Sequence, residues 1–272
     1  MSTLRRTRLP NPVRHLADLE RRIAAESRTL ICCDYDGTLT PIRGRPQDAV
    51  LESRAKRLLT RLHDHPRFSL AIVSGRSLSD LKRLVNVNGI WSVGNHGLEM
   101  DGPGLTFVHP DATRYRPVIR TLVAAFRRAA ASMPGVVIED KRWTLSVHYR
   151  LTPPPLTALL LQRLQAIAEP YRRNGTVVIG GGKQVFEIRL PIPWHKGSAT
   201  LWLRHHVGAL RGAPRLFTIY LGDDLTDEDA FRAVQRSGGV GIHVGDGSRP
   251  TVAHLRIPNV NAALRWLKQL VQ

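Results

Sequence analysis

"TLICCDYDGTLTPI", residues 29–42, sets an apolar run against two aspartates one residue apart, Asp34 and Asp36, and turns at once on Gly37. The run has the length and apolarity of a buried strand that ends at a turn. Two carboxylates so close repel each other, so a fold retains the pair where a cation lies between them or where they do chemistry. Outward from this stretch the rhythm repeats. Residues 14–26, "RHLADLERRIAAE", form an amphipathic helix leading in. "AVLESRAKRLLTRLHD" (49–64) has helical spacing at Leu51, Ala55, Leu58, Leu59 and Leu62, and "FSLAIVSGR" (68–76) is a second buried strand ending on Ser74-Gly75-Arg76. "SLSDLKRLV" (77–85) restarts as a helix that Ser77 or Ser79 can cap, and "GIWSVGNHGLEM" (89–100) follows as strand and turn. Alternating strands and helices predict an α/β fold with a parallel, doubly wound sheet.

From about residue 104 the pattern changes. "LTFVH", "GVVIED", "TLSVHYR", "TVVIGG" and "QVFEIRL" read as strands, interleaved with two helices, "PVIRTLVAAFRRAAASM" and "PPLTALLLQRLQAIAEPY". This predicts an inserted α+β module over 104–186, with residues 1–103 and 187–272 forming one discontinuous core. After Pro191 the first rhythm returns: helix "WHKGSATLWLRHHVGA", strand "LFTIYLGDD", helix "TDEDAFRAVQ", strand "GVGIHVGD" and closing helix "NVNAALRWLKQLV".

Composition narrows the function classes. Hydrophobic residues make up 42% of the 272, enough for a real core, and no apolar stretch reaches the roughly 18 residues of a membrane span. The basic start, "MSTLRRTRLPNPVRHL", lacks the apolar centre of a secretion signal and faintly resembles an organelle transit segment; a cytoplasmic protein is the expectation. The two cysteines, Cys32 and Cys33, are neighbours on a strand and point to opposite faces, so they read as small buried hydrophobes. The net charge of +18 suits nucleic acid or a small anionic substrate. The arginines are spread along the chain, without a basic run or interleaved aromatics, which disfavours nucleic acid as the partner.

In an open parallel sheet, ligands bind outside the carboxyl ends of the strands. Three strands here end in compact polar sequences, "DYDGT", "SGR" and "GDDLTDED", which would meet at one rim. Asp34, Asp36, Asp223, Asp224 and Asp227 would converge there, and oxygen-only ligands favour a hard cation such as Mg²⁺. A calcium loop starting at Asp34 fails, because its sixth and twelfth positions hold Leu39 and Arg45. The bland alternative for Asp36 is a turn residue before Gly37. Ser74 offers a hydroxyl, Gly75 allows close backbone approach, and Lys196 opens a helix where its ammonium and free N–H groups can hold an anion. The chain lacks the nucleophile elbow, the Walker phosphate loop, the zinc-protease pair and the dinucleotide fingerprint.

"DYDGTLTPI", "SGR", "HKG" and "GDDLTDEDAF", in that order, resemble the four motifs of the haloacid-dehalogenase superfamily of phosphohydrolases. With "GNHGLEM", "IEDKRWTLSVHYR" and "GGKQVFEIRLP", residues 29–245 resemble its trehalose-phosphatase family in particular. The resemblance implies a Rossmann-like core with an inserted cap that opens and closes about junctions near 101–105 and 185–193. It implies removal of phosphate from trehalose 6-phosphate, or from another glycosyl phosphate such as sucrose or glucosylglycerol phosphate, and it leaves open whether a trehalose-phosphate synthase is a protein partner. Asp34 would be the nucleophile and Asp36 the acid and base, with Ser74 and Lys196 on the phosphate. Mg²⁺ would be held by Asp34, the Asp36 main-chain oxygen and Asp223, with Asp227 in support and Asp224 less defined. In the cap, Glu139, Lys141, Arg150, Lys183 and Glu187 would face the sugar, and Arg76, Asn95 and His96 would complete the pocket. The chain departs from the family's usual pattern after "EDK", where Arg142 and Trp143 follow; Trp143 either stacks on a sugar or anchors the turn. A catalytically idle binding module on the same fold is the rival of another class, and the intact pair Asp34 and Asp36 argues against it.

Overall fold

The computed structural model describes residues 15–182, 184–213 and 216–272. In chain order its elements are α1 (Leu16–Ala25), β1 (Thr29–Cys33), α2 (Ser53–Asp64), β2 (Phe68–Val73), α3 (Leu78–Val85), β3 (Trp91–Gly94), β4 (Glu99–Gly102) and β5 (Leu105–Val108). There follow α4 (Arg116–Ala129), β6 (Val137–Asp140), β7 (Leu145–His148), α5 (Pro154–Arg173), β8 (Val178–Gly182), β9 (Val185–Arg189) and α6 (Lys196–Leu210). The chain closes with β10 (Phe217–Gly222), α7 (Leu225–Arg236), β11 (Val240–Val244), β12 (Leu255–Ile257) and α8 (Val260–Gln269).

The large sheet runs β12-β11-β10-β1-β2-β3-β4-β5, parallel from β12 to β3 and antiparallel at β4 and β5. The expected α/β class holds. β1 sits between β10 and β2, so the strands that end in the three polar sequences are immediate neighbours. Burial follows the pleat. Ile31 and Cys33 join one apolar cluster with α2 and α8, while Leu30 and Cys32 join a second beneath α6 and α7. That alternation sends the two cysteines to opposite faces and leaves both buried.

The small sheet, β6-β7-β9-β8, is antiparallel throughout. Its outer face packs on Leu122 and Phe126 of α4 and Leu160 and Leu164 of α5, which leaves the other face polar. Sheet membership differs from the expected boundaries. "LTFVH" supplies β5 of the large sheet rather than the first strand of the module, because the β4–β5 hairpin turns at Gly104 (φ 69°) and pairs back on itself. At the other end Glu187–Arg189 stay in the small sheet as part of β9. The change of sheet therefore falls after Val108 and after Arg189. β12 was not anticipated; with Arg256 exposed between Leu255 and Ile257, three residues give too short an alternation to read. The basic first residues, up to Arg14, lie outside the described residues, and among those described no helix is long and apolar enough to cross a membrane.

Candidate active site

Asp34 is the first residue past β1, and its N–H donates to Leu221 O at 2.8 Å, continuing the ladder with β10 one step beyond the strand. Asp223 follows β10, and its carboxylate lies against Gly37: a Cβ there would sit 2.2 Å from Asp223 Oδ2. Gly37 also has φ 88°, so both the turn and the close approach call for glycine. Asp227 reaches the same place through a helix cap. Asp224 is the N-cap of α7 and Asp227 its third residue, in a reciprocal capping box that turns Asp227 back toward the sheet.

Carboxylate oxygens of Asp34, Asp223 and Asp227 lie within 4.8 Å of one another. Lys196, the first residue of α6, is buried among them and donates to Asp34 Oδ1 at 2.6 Å and Asp227 Oδ1 at 2.8 Å. Asp227 also accepts from the Tyr220 hydroxyl (2.8 Å) and from the N–H groups of Asp223 (3.0 Å) and Asp224 (2.9 Å). Each Asp227 oxygen thus has two donors, which makes it a support for the cluster. Burial pushes the Asp34 carboxyl well above its ordinary range; Lys196 pulls it down, but Asp227 and Asp223 push it further up. Burial pulls Lys196 down, yet Asp227 and Asp34 outweigh it and raise it, and it stays an ammonium. Three acids face one lysine, an excess of negative charge that fits a hard divalent cation bound by oxygen.

Ser74 is the first residue past β2 next door, buried, with its Oγ accepting the Arg76 N–H at 3.2 Å. Gly75 leaves room for His96, whose imidazole would lie 2.5 Å from any Cβ there. Asp36 is placed at the cleft but is held by Arg76, whose Nε and Nη2 donate to its two oxygens at 2.7 and 2.8 Å. Arg76 also bonds Asp80 (2.7 Å) and Pro46 O (2.8 Å) and is 6% exposed. It lines the cleft, as expected, but its guanidinium is engaged in fixing the core's own loops.

The polar face of the small sheet forms the opposite wall of the cleft. Strand register puts Glu139, Ser146, Glu187 and Gly180 in one row across it. Lys141 is buried between Glu139 (3.9 Å) and Glu187 (3.7 Å) and donates to Gly75 O of the core at 2.9 Å. His148 Nε2 bonds Glu139 at 2.9 Å, and His96 Nε2 donates to Glu187 at 3.2 Å. Burial holds His96 below its ordinary value, and Lys141 (3.7 Å) and Arg189 (3.5 Å) bring full positive charge to Glu187. Burial pushes Glu139 up, but Lys141 and then His148 outweigh it and bring the carboxyl to about 2. Arg150 crosses to the core, donating to Arg43 O at 2.7 Å, and also bonds Gln184. Lys183 lies outside the described residues.

Asn95 does not line this cleft. It is fully buried; its amide donates to Glu99 (2.6 Å) and Lys141 O (2.9 Å), and its oxygen accepts from Thr144 (2.6 Å). Trp143 is buried in the same joint, donating to Glu99 at 3.2 Å, so it anchors the turn. Ser146 and His148 line the cleft without having been singled out. They stand four and two residues before Arg150, and the period of two along β7 was the signal for them. Arg43 and Arg45, on the loop after the first motif, carried no such signal.

A sequence profile described as trehalose-phosphatase matches residues 32–260. The trehalose-phosphate phosphatase of Mycobacterium tuberculosis H37Rv is 34% identical over 252 residues, 92% of this chain and 62% of the relative. That of Mycobacterium leprae is 36% identical over 232 residues, 81% of this chain and 52% of the relative. The chain thus spans between about half and two thirds of the length of these curated relatives. The C-terminal domain of Candida albicans trehalose-6-phosphate phosphatase superposes with a TM-score of 0.80 at 25% identity, covering 96% of this chain and 98% of that one.

Proposed function

Because the chain belongs to the trehalose-phosphatase family, we propose that it hydrolyses trehalose 6-phosphate to trehalose and inorganic phosphate, in the cytoplasm, with Mg²⁺. The observation that carries the reading is the placement of Asp34, bonded to Lys196 and crowded by Asp223, beneath a wall of paired charges suited to a polyhydroxylated ligand. The large sheet and its helices serve as the catalytic core, and the small sheet with α4 and α5 as the cap.

An Asp34 oxygen attacks phosphorus in line while the bond from phosphorus to the sugar oxygen breaks. Asp36 gives its proton to that oxygen as trehalose leaves. It then takes a proton from water, whose oxygen attacks the aspartyl phosphate, releasing phosphate and restoring Asp34. To do this Asp36 must leave the Arg76 fork. Lys196 and the Ser74 hydroxyl hold the transferring oxygens, and the Asp34 and Asp223 carboxylates with the Asp36 main-chain oxygen would hold the ion. Mg²⁺, when bound, neutralises charge on the phosphoryl oxygens. Glu139, Lys141, Arg150 and Glu187 grip sugar hydroxyls, and a site built for them rejects sugars that lack them. Trehalose-phosphate synthase, which makes this substrate, is the protein partner to test for by pull-down.

A phosphate-release panel over trehalose 6-phosphate, sucrose phosphate and glucosylglycerol phosphate, with chelator and with added Mg²⁺, tests the proposal. Turnover of the trehalose ester that stops on chelation and returns with Mg²⁺ is the expected result. Preference for another sugar overturns the substrate, and full activity in chelator overturns the metal.

A further inference from the structure

The charges that line the cleft fall into two groups. Inside it, each cation already has partners: Lys196 has Asp34 and Asp227, Arg76 has Asp36 and Asp80, Lys141 has Glu139 and Glu187, and Arg150 has Gln184 and Arg43 O. The acids lining this inner part (Asp34, Asp36, Glu139, Glu187, Asp223 and Asp224) outnumber those cations. With Glu187 also facing Arg189 and Asp224 facing Arg249, the inner part of the cleft offers an approaching phosphate dianion no unpaired lining cation among the described residues.

The second group is the lip. Arg43 and Arg45 flank Gly44 on the loop between β1 and α2, exposed, and both line the cleft. Neither guanidinium has an ion-pair or hydrogen-bond partner among the described residues. The lip is held where the two sheets meet. Arg150, just past β7, donates to the Arg43 carbonyl at 2.7 Å, and a Cβ on Gly44 would be 3.7 Å from Leu151. The main chain of the loop is thereby tied to the far wall while its two side chains remain available.

We infer that Arg43 and Arg45 form an anion-capture lip, which draws the phosphate group of the substrate to the mouth of the cleft before it passes inward to Asp34 and Lys196. The inference rests on the proposed phosphatase reading and adds to it where the phosphate is first met. Two unpaired guanidiniums at a mouth with low-dielectric walls focus the field for an incoming dianion. Lys196, Arg76 and Lys141, deeper in the cleft, contribute little at that range, because each is already offset by acids. The lip also gives a local use to part of the net charge of +18.

The test compares the wild type with R43Q/R45Q and with a control of equal charge change, R172Q/R173Q at the far end of α5. Each is assayed for kcat/KM on trehalose 6-phosphate and on p-nitrophenyl phosphate across ionic strength. At about 10 mM salt, where the screening length is about 30 Å, the lip variant is expected to lose about three- to ten-fold on both esters. The gap should close by about 0.5 M, and the control should track the wild type. A loss that is the same at every salt concentration, an equal loss in the control, or no loss at all overturns the lip. A raised inhibition constant for neutral trehalose in the lip variant also overturns it, since that makes the arginines sugar contacts. If the wild type cleaves the aryl ester but not the sugar ester, the substrate proposal fails while the aryl series still decides the lip.

Discussion

The floor and the wall of the cleft are built by different rules. The floor is a product of topology: β10, β1 and β2 are adjacent and parallel, so Asp223, Asp34 and Ser74 emerge side by side at one rim. Its groups are buried, and one lysine bonds two of its three clustered acids. The wall is a product of the pleat: alternate residues of an antiparallel sheet point one way, and register sets Glu139, Ser146 and Glu187 in a row. Its charges are matched, acid to base, across that row. A floor with unbalanced charge is suited to bonding an ion and a phosphoryl group, whichever molecule carries it. A wall with balanced charge is suited to hydrogen-bonding a neutral sugar, and matters only when one is there.

The sharpest way to break this division is at the floor. Asp34→Asn keeps the shape and removes the proposed nucleophile, and turnover should fall about 10³-fold or more on trehalose 6-phosphate and on a small aryl phosphate alike. Binding of trehalose, measured by calorimetry, should survive. Appreciable turnover by the variant, deamidation having been checked by mass spectrometry, would remove Asp34 from the chemistry. The wall should behave in the opposite way. Glu187→Ala takes the acceptor from His96 and leaves Lys141 with one acid fewer. A loss of about 10- to 100-fold on the sugar ester, with the aryl ester nearly unchanged, is the expected split. Equal losses on the two would mean that Glu187 supports the floor and that the two regions are not separable.

The same division decides what could be read in the sequence. Floor residues are announced locally: each sits within a residue or two of a strand end or at a helix start, and an apolar run that stops on a carboxylate or a Ser-Gly is visible in one dimension. The doubly wound order was legible for the same reason. Wall residues such as Glu139 and Glu187 were legible only through the resemblance of the motifs that carry them. Ser146 and His148 depended on knowing which face of β7 turns inward. Arg76 and Asn95 show the other limit. Both stand at strand ends and look free in sequence, but Asp36, Asp80 and Glu99 reach them from other elements and occupy their donors. The ends of the inserted module are hard to read because an edge hairpin of the large sheet and a strand of the small one have the same local pattern. Only pairing partners tell them apart.

The smallest expected change lies in the wall's contribution to folding. Burial by itself would raise Glu139, and Lys141 at 3.9 Å with His148 at 2.9 Å overcomes that, so the folded carboxyl titrates at about 2 against 4.5 ordinarily. The folded value lies below the unfolded one, so the unfolded chain takes up the proton first as pH falls. The pairing therefore stabilises fully above pH 4.5 and is lost progressively between 4.5 and about 2, to an extent on the order of 3 kcal/mol at most. Glu139→Gln, which keeps an acceptor for His148 but no charge, should melt with a shallower dependence on pH across that window than the parent. Glu187 is likewise held low, chiefly by His96 and Lys141 acting against its burial, so some slope should remain in the variant. Thermal melts at half-unit steps of pH would read the difference. Identical slopes would mean that the charges of the wall add nothing to folding and that strand register alone keeps the row in place, leaving its pairing to serve the ligand only.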